Sequence, residues 1–113
     1  RVQAFAVQAL LDGAAADEAV DSPMGRMPLR EVIDSFYTFD VIAHGWDLAR
    51  SQGLDVPFDE DWATRAFHGM SAMGPALEAS GQFGTPQPVA DDASIQERLI
   101  ALLGRDPHWR PAA

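Results

Sequence analysis

Cysteine and lysine are both missing from this 113-residue chain. Without Cys there is no thiol nucleophile, no disulfide and no thiolate-bound zinc or iron–sulfur centre. Without Lys there is no Schiff-base chemistry and no phosphate-loop lysine. Long apolar runs are missing too: nothing approaches the roughly 20 residues of a membrane span, and no charged segment followed by a pure apolar run opens the chain. The reading is a cytoplasmic protein with no membrane partner. Positive charge is scarce, eight Arg against 17 acidic residues for a net charge of −9. Nucleic acid is excluded as a partner, because binding it needs clustered cations that displace counterions from the phosphates.

What is present is 47% hydrophobic, enough for one small core and a single domain over residues 1–113. The chain opens directly into Val2, Phe5, Ala6, Ala9 and Leu10, a helical spacing with no cap before it. It therefore reads as a fragment, the C-terminal part of a longer protein. The stretches Ala14-Ala15-Ala16-Asp17-Glu18 and Ser22-Pro23-Met24-Gly25 break the periodicity and end the first helix near Asp12 or Gly13. Pro28 suits a first helical turn. From Leu29, the residues Val32, Ile33, Phe36, Phe39, Ile42, Ala43, Trp46 and Ala49 predict one helix of about 35 Å that stops at Gly53.

Asp59 is placed to cap a third helix carrying Trp62, Ala66, Met70, Met73 and Leu77, with a kink expected near Ser71 because Pro75 removes a backbone bond. Residues 82–92 read as an extended connection. Ser94 and Glu97 form a capping-box pair for a final helix over 93–104, which Gly104 terminates. Residues 105–113 are too Pro-rich for a helix and read as a tail packed through Trp109. Strand-like alternation is nowhere sustained, so the expected fold is all-α.

Asp40 and His44 carry the chemistry with most content. They lie one turn apart on the long helix, where side chains four residues apart share a face and lean toward the N-terminus. The imidazole of His44 can point at the carboxylate of Asp40, and together they can hold one divalent ion, zinc first, with nickel, manganese or iron(II) as alternatives. A third imidazole from a neighbouring helix would complete the site and leave positions open for water or substrate. Phe36, Phe39, Val41, Ile42 and Ala43 surround Asp40, an apolar setting in which a carboxylate needs a partner. Gly45 offers room for another element or ligand to approach. Asp47 can accept a hydrogen bond from the second ring nitrogen of His44, or else pair with Arg50 on the surface. His68 reads as a partly exposed helix residue and His108 as tail packing. Ser35 has no nucleophile elbow around it, which sets aside a hydrolase triad.

The run Phe39-Asp40-Val41-Ile42-Ala43-His44-Gly45-Trp46-Asp47-Leu48-Ala49-Arg50, then Gly53, and downstream Asp92-Ala93-Ser94, Gln96-Glu97-Arg98-Leu99, Leu102-Leu103-Gly104-Arg105-Asp106-Pro107 and Trp109, resembles metal-binding proteins related to mycothiol-dependent maleylpyruvate isomerase. The likeness runs from about Met24 onward. It implies a DinB-like four-helix bundle lacking its N-terminal helix in this chain, with Asp40 and His44 as two metal ligands. The implied third ligand is a histidine from an earlier helix, and no histidine precedes His44 here. The implied chemistry is that of a thiol-dependent isomerase or transferase, with mycothiol as cofactor and a small-molecule thiol or substrate as partner. The alternative is a metal-free helical structural or interaction domain with a degenerate or incomplete site. A bundle short of one helix exposes apolar faces, so homo-oligomerisation or poor stability is expected.

Overall fold

The computed structural model describes residues 2–22 and 25–112. Arg1, the Pro23 and Met24 of the expected turn stretch, and Ala113 at the end of the tail lie outside the described residues. The chain divides into two compact units, with the boundary between Val41 and Ile42 inside a helix.

In the first unit, α1 (Val2–Asp12) ends where the loss of periodicity places its end. Its apolar residues lie on every side, and Val2, Phe5, Val7 and Leu10 are all exposed. A 3-10 turn over Ala14–Asp17 leads into β1 (Ala19–Ser22) and β2 (Gly25–Pro28). These pair antiparallel, Ala19 opposite Pro28 and Ser22 opposite Gly25. The fold is thus mostly helical with a small two-stranded sheet, which corrects the all-α expectation. Four residues per strand are too few for a period-two pattern to register. Within them Val20 and Met27 form a half-buried pair while Asp21 and Arg26 form an exposed, ion-paired one at 2.9 Å, the arrangement a hairpin with one covered face requires. Gly25 has φ +99°, a conformation that favours glycine.

Pro28 is the residue immediately before α2 (Leu29–Val32). Its lack of an N–H costs nothing at a helix start. The Leu29 amide donates to the Glu18 carbonyl at 2.9 Å, and Arg30 pairs with Asp17 at 2.9 Å, fixing the hairpin's return to the 3-10 turn. The long helix is not uniform. A π-helical stretch over Ile33–Thr38 separates α2 from α3 (Phe39–Ser51). Such a wide turn takes up an extra residue without ending the helix.

In the second unit, α3 stops at Gly53, which has φ +74°. Asp59 caps α4 (Glu60–Ala72), its carboxylate accepting from the Trp62 amide at 2.9 Å. In place of the expected kink near Ser71 the helix breaks, and Pro75 begins a new one, α5 (Pro75–Ala79), after Gly74 at φ +53°. Proline is well tolerated in a first turn and poorly in an interior, so a short glycine step lets the chain restart rather than bend.

The capping box at Ser94 and Glu97 forms in full ahead of α6 (Ile95–Leu102). α6 packs on α4. The buried residues of this unit are Ala43, Trp46, Ala63, Leu77, Leu99, Ile100, Ala101, Leu103 and Pro107, with Arg50 beside them. The connection before α6 is strapped to it: the Gln87 amide donates to the Ala101 carbonyl at 2.8 Å, and Gly84 lies against Gly104. Gln96 does the same for the approach to α4, accepting from the Phe58 amide at 2.8 Å and donating to the Val56 carbonyl at 2.7 Å. No helix of the described residues is long and apolar enough to cross a membrane.

Candidate functional site

Asp40 and His44 both lie on α3, one turn apart. Both are exposed, the His44 side chain at 71%. The apolar neighbours of Asp40 in sequence therefore do not enclose it: on a helix, residues one and two positions away fan out around the axis, and only Phe39 and Ala43 of that group are buried. Gly45 likewise has open space around it, with nothing within 4 Å of where a Cβ would stand.

His44 turns its Nδ1 to Asp47 Oδ2 at 3.3 Å, three residues on. Asp47 does not pair with Arg50. Arg105, 58 residues downstream, grips it with both arms of its fork, Nε to Oδ1 at 2.5 Å and Nη2 to Oδ2 at 2.7 Å. Arg105, Asp47 and His44 thus form a chain of contacts in which the tail fixes the carboxylate and the carboxylate fixes one edge of the imidazole. Bidentate guanidinium–carboxylate pairs are the most directional of protein ion pairs. The Arg105 hydrogen bonds hold the Asp47 carboxyl below its ordinary value of 3.8, with His44 adding in the same direction and partial burial opposing. Asp47 in turn raises the Arg105 pKa through the same hydrogen bonds, against partial burial.

A depressed carboxylate pKa stabilises the fold above the unfolded-state value, and the contribution disappears as pH falls through the folded-state value. Asp47→Asn is therefore expected to lower stability at neutral pH by a margin that stays constant well above 3.8. The margin closes as pH falls below that value, and it shrinks with added salt because the pair is partly exposed. Urea unfolding of both proteins across acid pH measures it; a margin unchanged down to full protonation would contradict the tether.

Arg50 is occupied differently. It is 8% exposed and sits over the Trp46 ring, with its Cζ 4.9 Å from the centroid. Nη1 donates to Asp55 at 3.0 Å and Nη2 to the Pro107 carbonyl at 3.2 Å, while its buried Nε has no hydrogen-bond partner. Asp55 also accepts from Arg110 at 2.8 Å. The tail is therefore pinned by arginines and by buried Pro107 rather than through Trp109, which is 49% exposed. His108 is exposed, its backbone amide donating to Asp106 at 2.9 Å. His68 is exposed beside Phe67. An open depression of about 260 Å³ lies between α3 and the tail, lined by Trp46, Asp47, Arg50, Arg105, Asp106 and Trp109 among others.

As a metal site the donor set is incomplete. His44 offers Nε2 and Asp40 its carboxylate, and among the described residues no group of three or more His, Asp and Glu is placed to hold one ion. Two donors supply half of a tetrahedral shell. The orientation of His44 does fit a ligand, since metal-binding histidines commonly present their other ring nitrogen to a carboxylate. Sequence reasoning found that hydrogen bond and missed what holds it. Arg105 stands in the Leu103-Gly104-Arg105-Asp106-Pro107 block, but nothing in a sequence indicates which acid a distant arginine will meet.

The chain is similar to two uncharacterized proteins of Mycobacterium tuberculosis, one from strain CDC 1551 / Oshkosh and one from strain H37Rv. It is 31% identical to each over 85 residues, covering 74% of this chain and 46% of each relative. The chain thus spans about half the length of the curated relatives it matches. No family model matches it, and no solved structure matches it significantly. The relatives' names carry no activity, so the functional reading rests on the side chains of this chain.

Proposed function

We propose that this chain is a divalent-metal-binding helical module in which His44 Nε2 and the Asp40 carboxylate, one turn apart on α3, supply two of the ligands. The observation that carries the reading is the His44–Asp47–Arg105 chain, which commits Nδ1 to a carboxylate and leaves Nε2 as the nitrogen available to an ion. Imidazole and carboxylate together suit zinc, with nickel, manganese and iron(II) as competitors. The resemblance to the mycothiol-dependent isomerases and the DinB-like bundle belongs to the same proposal. A divalent ion there would supply the positive charge that lowers the pKa of a bound thiol such as mycothiol.

Equilibrium dialysis against zinc, nickel and manganese with elemental analysis tests this. Zinc is expected to bind at one ion per chain and to be lost in both Asp40→Ala and His44→Ala. Asp47→Asn should weaken it by about 10–100-fold, the usual cost of removing a carboxylate behind a ligating histidine. Zinc retained in both alanine variants, or no zinc bound by the unmodified protein, would overturn the proposal. The second reading, a metal-free structural or interaction domain, is favoured by the 71% exposure of His44 and is the reading the last outcome would leave standing.

A further inference from the structure

The tail and the imidazole of His44 are joined through one carboxylate oxygen. Oδ2 of Asp47 accepts from Arg105 Nη2 at 2.7 Å and meets His44 Nδ1 at 3.3 Å, while Oδ1 takes the second arm of the guanidinium. All three residues lie in the second unit, so the relay is internal to one compact body. Left to itself, an Asp side chain 37% exposed on a helix has several rotamers open to it, and only some bring an oxygen to a ring three residues back. Arg105 removes that freedom by occupying both oxygens, which a single-point contact would not do. Its own position is set from behind: its amide donates to the Ile100 carbonyl at 3.1 Å, and it follows Gly104, which lies against Gly84. Beyond it the tail is held again, by Arg50 at the Pro107 carbonyl and by Arg110 at Asp55.

What this fixes is a proton. A neutral imidazole carries one N–H, and the nitrogen that faces an acceptor keeps it. With Nδ1 against the Asp47 carboxylate, the proton sits there and Nε2 keeps its lone pair, the form in which a histidine binds a metal ion. His44 is 71% exposed, so little packing sets its ring and the carboxylate contact does. We propose that Arg105 is a positioning residue for His44: through Asp47 it holds the imidazole proton on Nδ1 and leaves Nε2 open, so that docking of the tail and metal binding at Nε2 favour one another. The second half rests on the reading of His44 as a ligand. By linkage the effect is mutual: whatever factor the docked tail adds to metal affinity, the metal adds to tail docking. A purely structural Arg105–Asp47 pair would staple the tail to α3 and leave the imidazole indifferent to it.

Long-range ¹H–¹⁵N spectra of the metal-free protein at about pH 8, above the ordinary histidine pKa of about 6.5, report which ring nitrogen of each of the three histidines carries the proton. His44 is expected in the Nδ1–H form, and as a mixture of both forms in Arg105→Gln. Arg110→Gln removes the same charge from the tail without touching Asp47, and is expected to leave His44 unchanged. Equilibrium dialysis should show zinc bound about tenfold more weakly by Arg105→Gln, the low end of the cost of disturbing a partner behind a ligand, and as tightly as before by Arg110→Gln. Zinc should in turn slow solvent exchange of the Arg105 Nε–H in the unmodified protein. Should Arg105→Gln fail to fold, Arg105→Lys, which keeps the charge and loses the fork, is expected to move His44 and zinc affinity in the same directions by less. The inference is overturned by an unchanged His44 form or unchanged zinc affinity in whichever of the two variants folds, or by an equal change in Arg110→Gln. No zinc bound by the unmodified protein would strike the metal reading of His44 and with it the linkage, and the metal-free spectra would still decide whether Arg105 positions the ring.

Discussion

Gly104→Ala is expected to lower stability by about 2–5 kcal/mol, combining a left-handed backbone forced on a residue with a Cβ and an overpacked contact with no room to relax. Gly104 has φ +88°, and a Cβ there would stand 2.5 Å from the Gly84 Cα and 2.6 Å from its carbonyl carbon. The obstacle is backbone, so no rotamer change relieves it. The consequence reaches the candidate site because Arg105 follows directly: displacing this corner moves the guanidinium that holds Asp47. Urea denaturation should show an earlier midpoint, and the Arg105 Nε–H signal should lose its hydrogen-bonded position even where the protein stays folded. A midpoint unchanged from that of the unmodified protein would mean that the two backbones are not in contact.

Leu99→Ala has the next largest expected effect, a loss of about 2–5 kcal/mol from the missing methyl groups and the cavity they leave. Leu99 is 0% exposed on α6, and Ala63 of α4 is 0% exposed as well. The second unit has few large buried side chains, with Leu99, Ile100 and Leu103 the largest of those fully enclosed. A domain of this size has on the order of 5–15 kcal/mol in total, so the variant is expected to melt well below the unmodified protein by calorimetry. An unchanged melting temperature would place the core elsewhere.

The boundaries set by local chemistry were legible in the sequence. The Asp59 cap, the Ser94–Glu97 box, the stops at Gly53 and Gly104 and the end of α1 near Asp12 each depend on a few adjacent residues competing for the same unpaired backbone groups. The hairpin was not legible, because its strands are too short to show a period. The π stretch was not either: a wide turn changes the phase of an apolar stripe without removing any apolar residue.

At the candidate site, sequence placed Asp40 and His44 on one helix and foresaw the hydrogen bond from His44 to Asp47. It misjudged the setting of Asp40, because a run of apolar letters gives composition and says nothing of which side of the helix is covered. It left Asp47 open between His44 and Arg50, and Arg50 pairs with Asp55 instead. The choice between Asp47 and Asp55 is decided by where the tail brings Arg105 and Arg110, across separations of 58 and 55 residues.

The Gln96 side chain sits where a neighbouring strand would, giving both its carbonyl and its amide to the extended backbone at Val56 and Phe58. That approach to α4 therefore has no ladder of its own and borrows one residue of α6, about 40 positions later in the chain. During folding the Val56 and Phe58 backbone groups gain these two bonds only when α6 arrives, so closing that loop precedes their formation. The Phe58 amide proton is consequently a clock for the assembly of the second unit: its shielding from exchange with water begins only when the last helix docks.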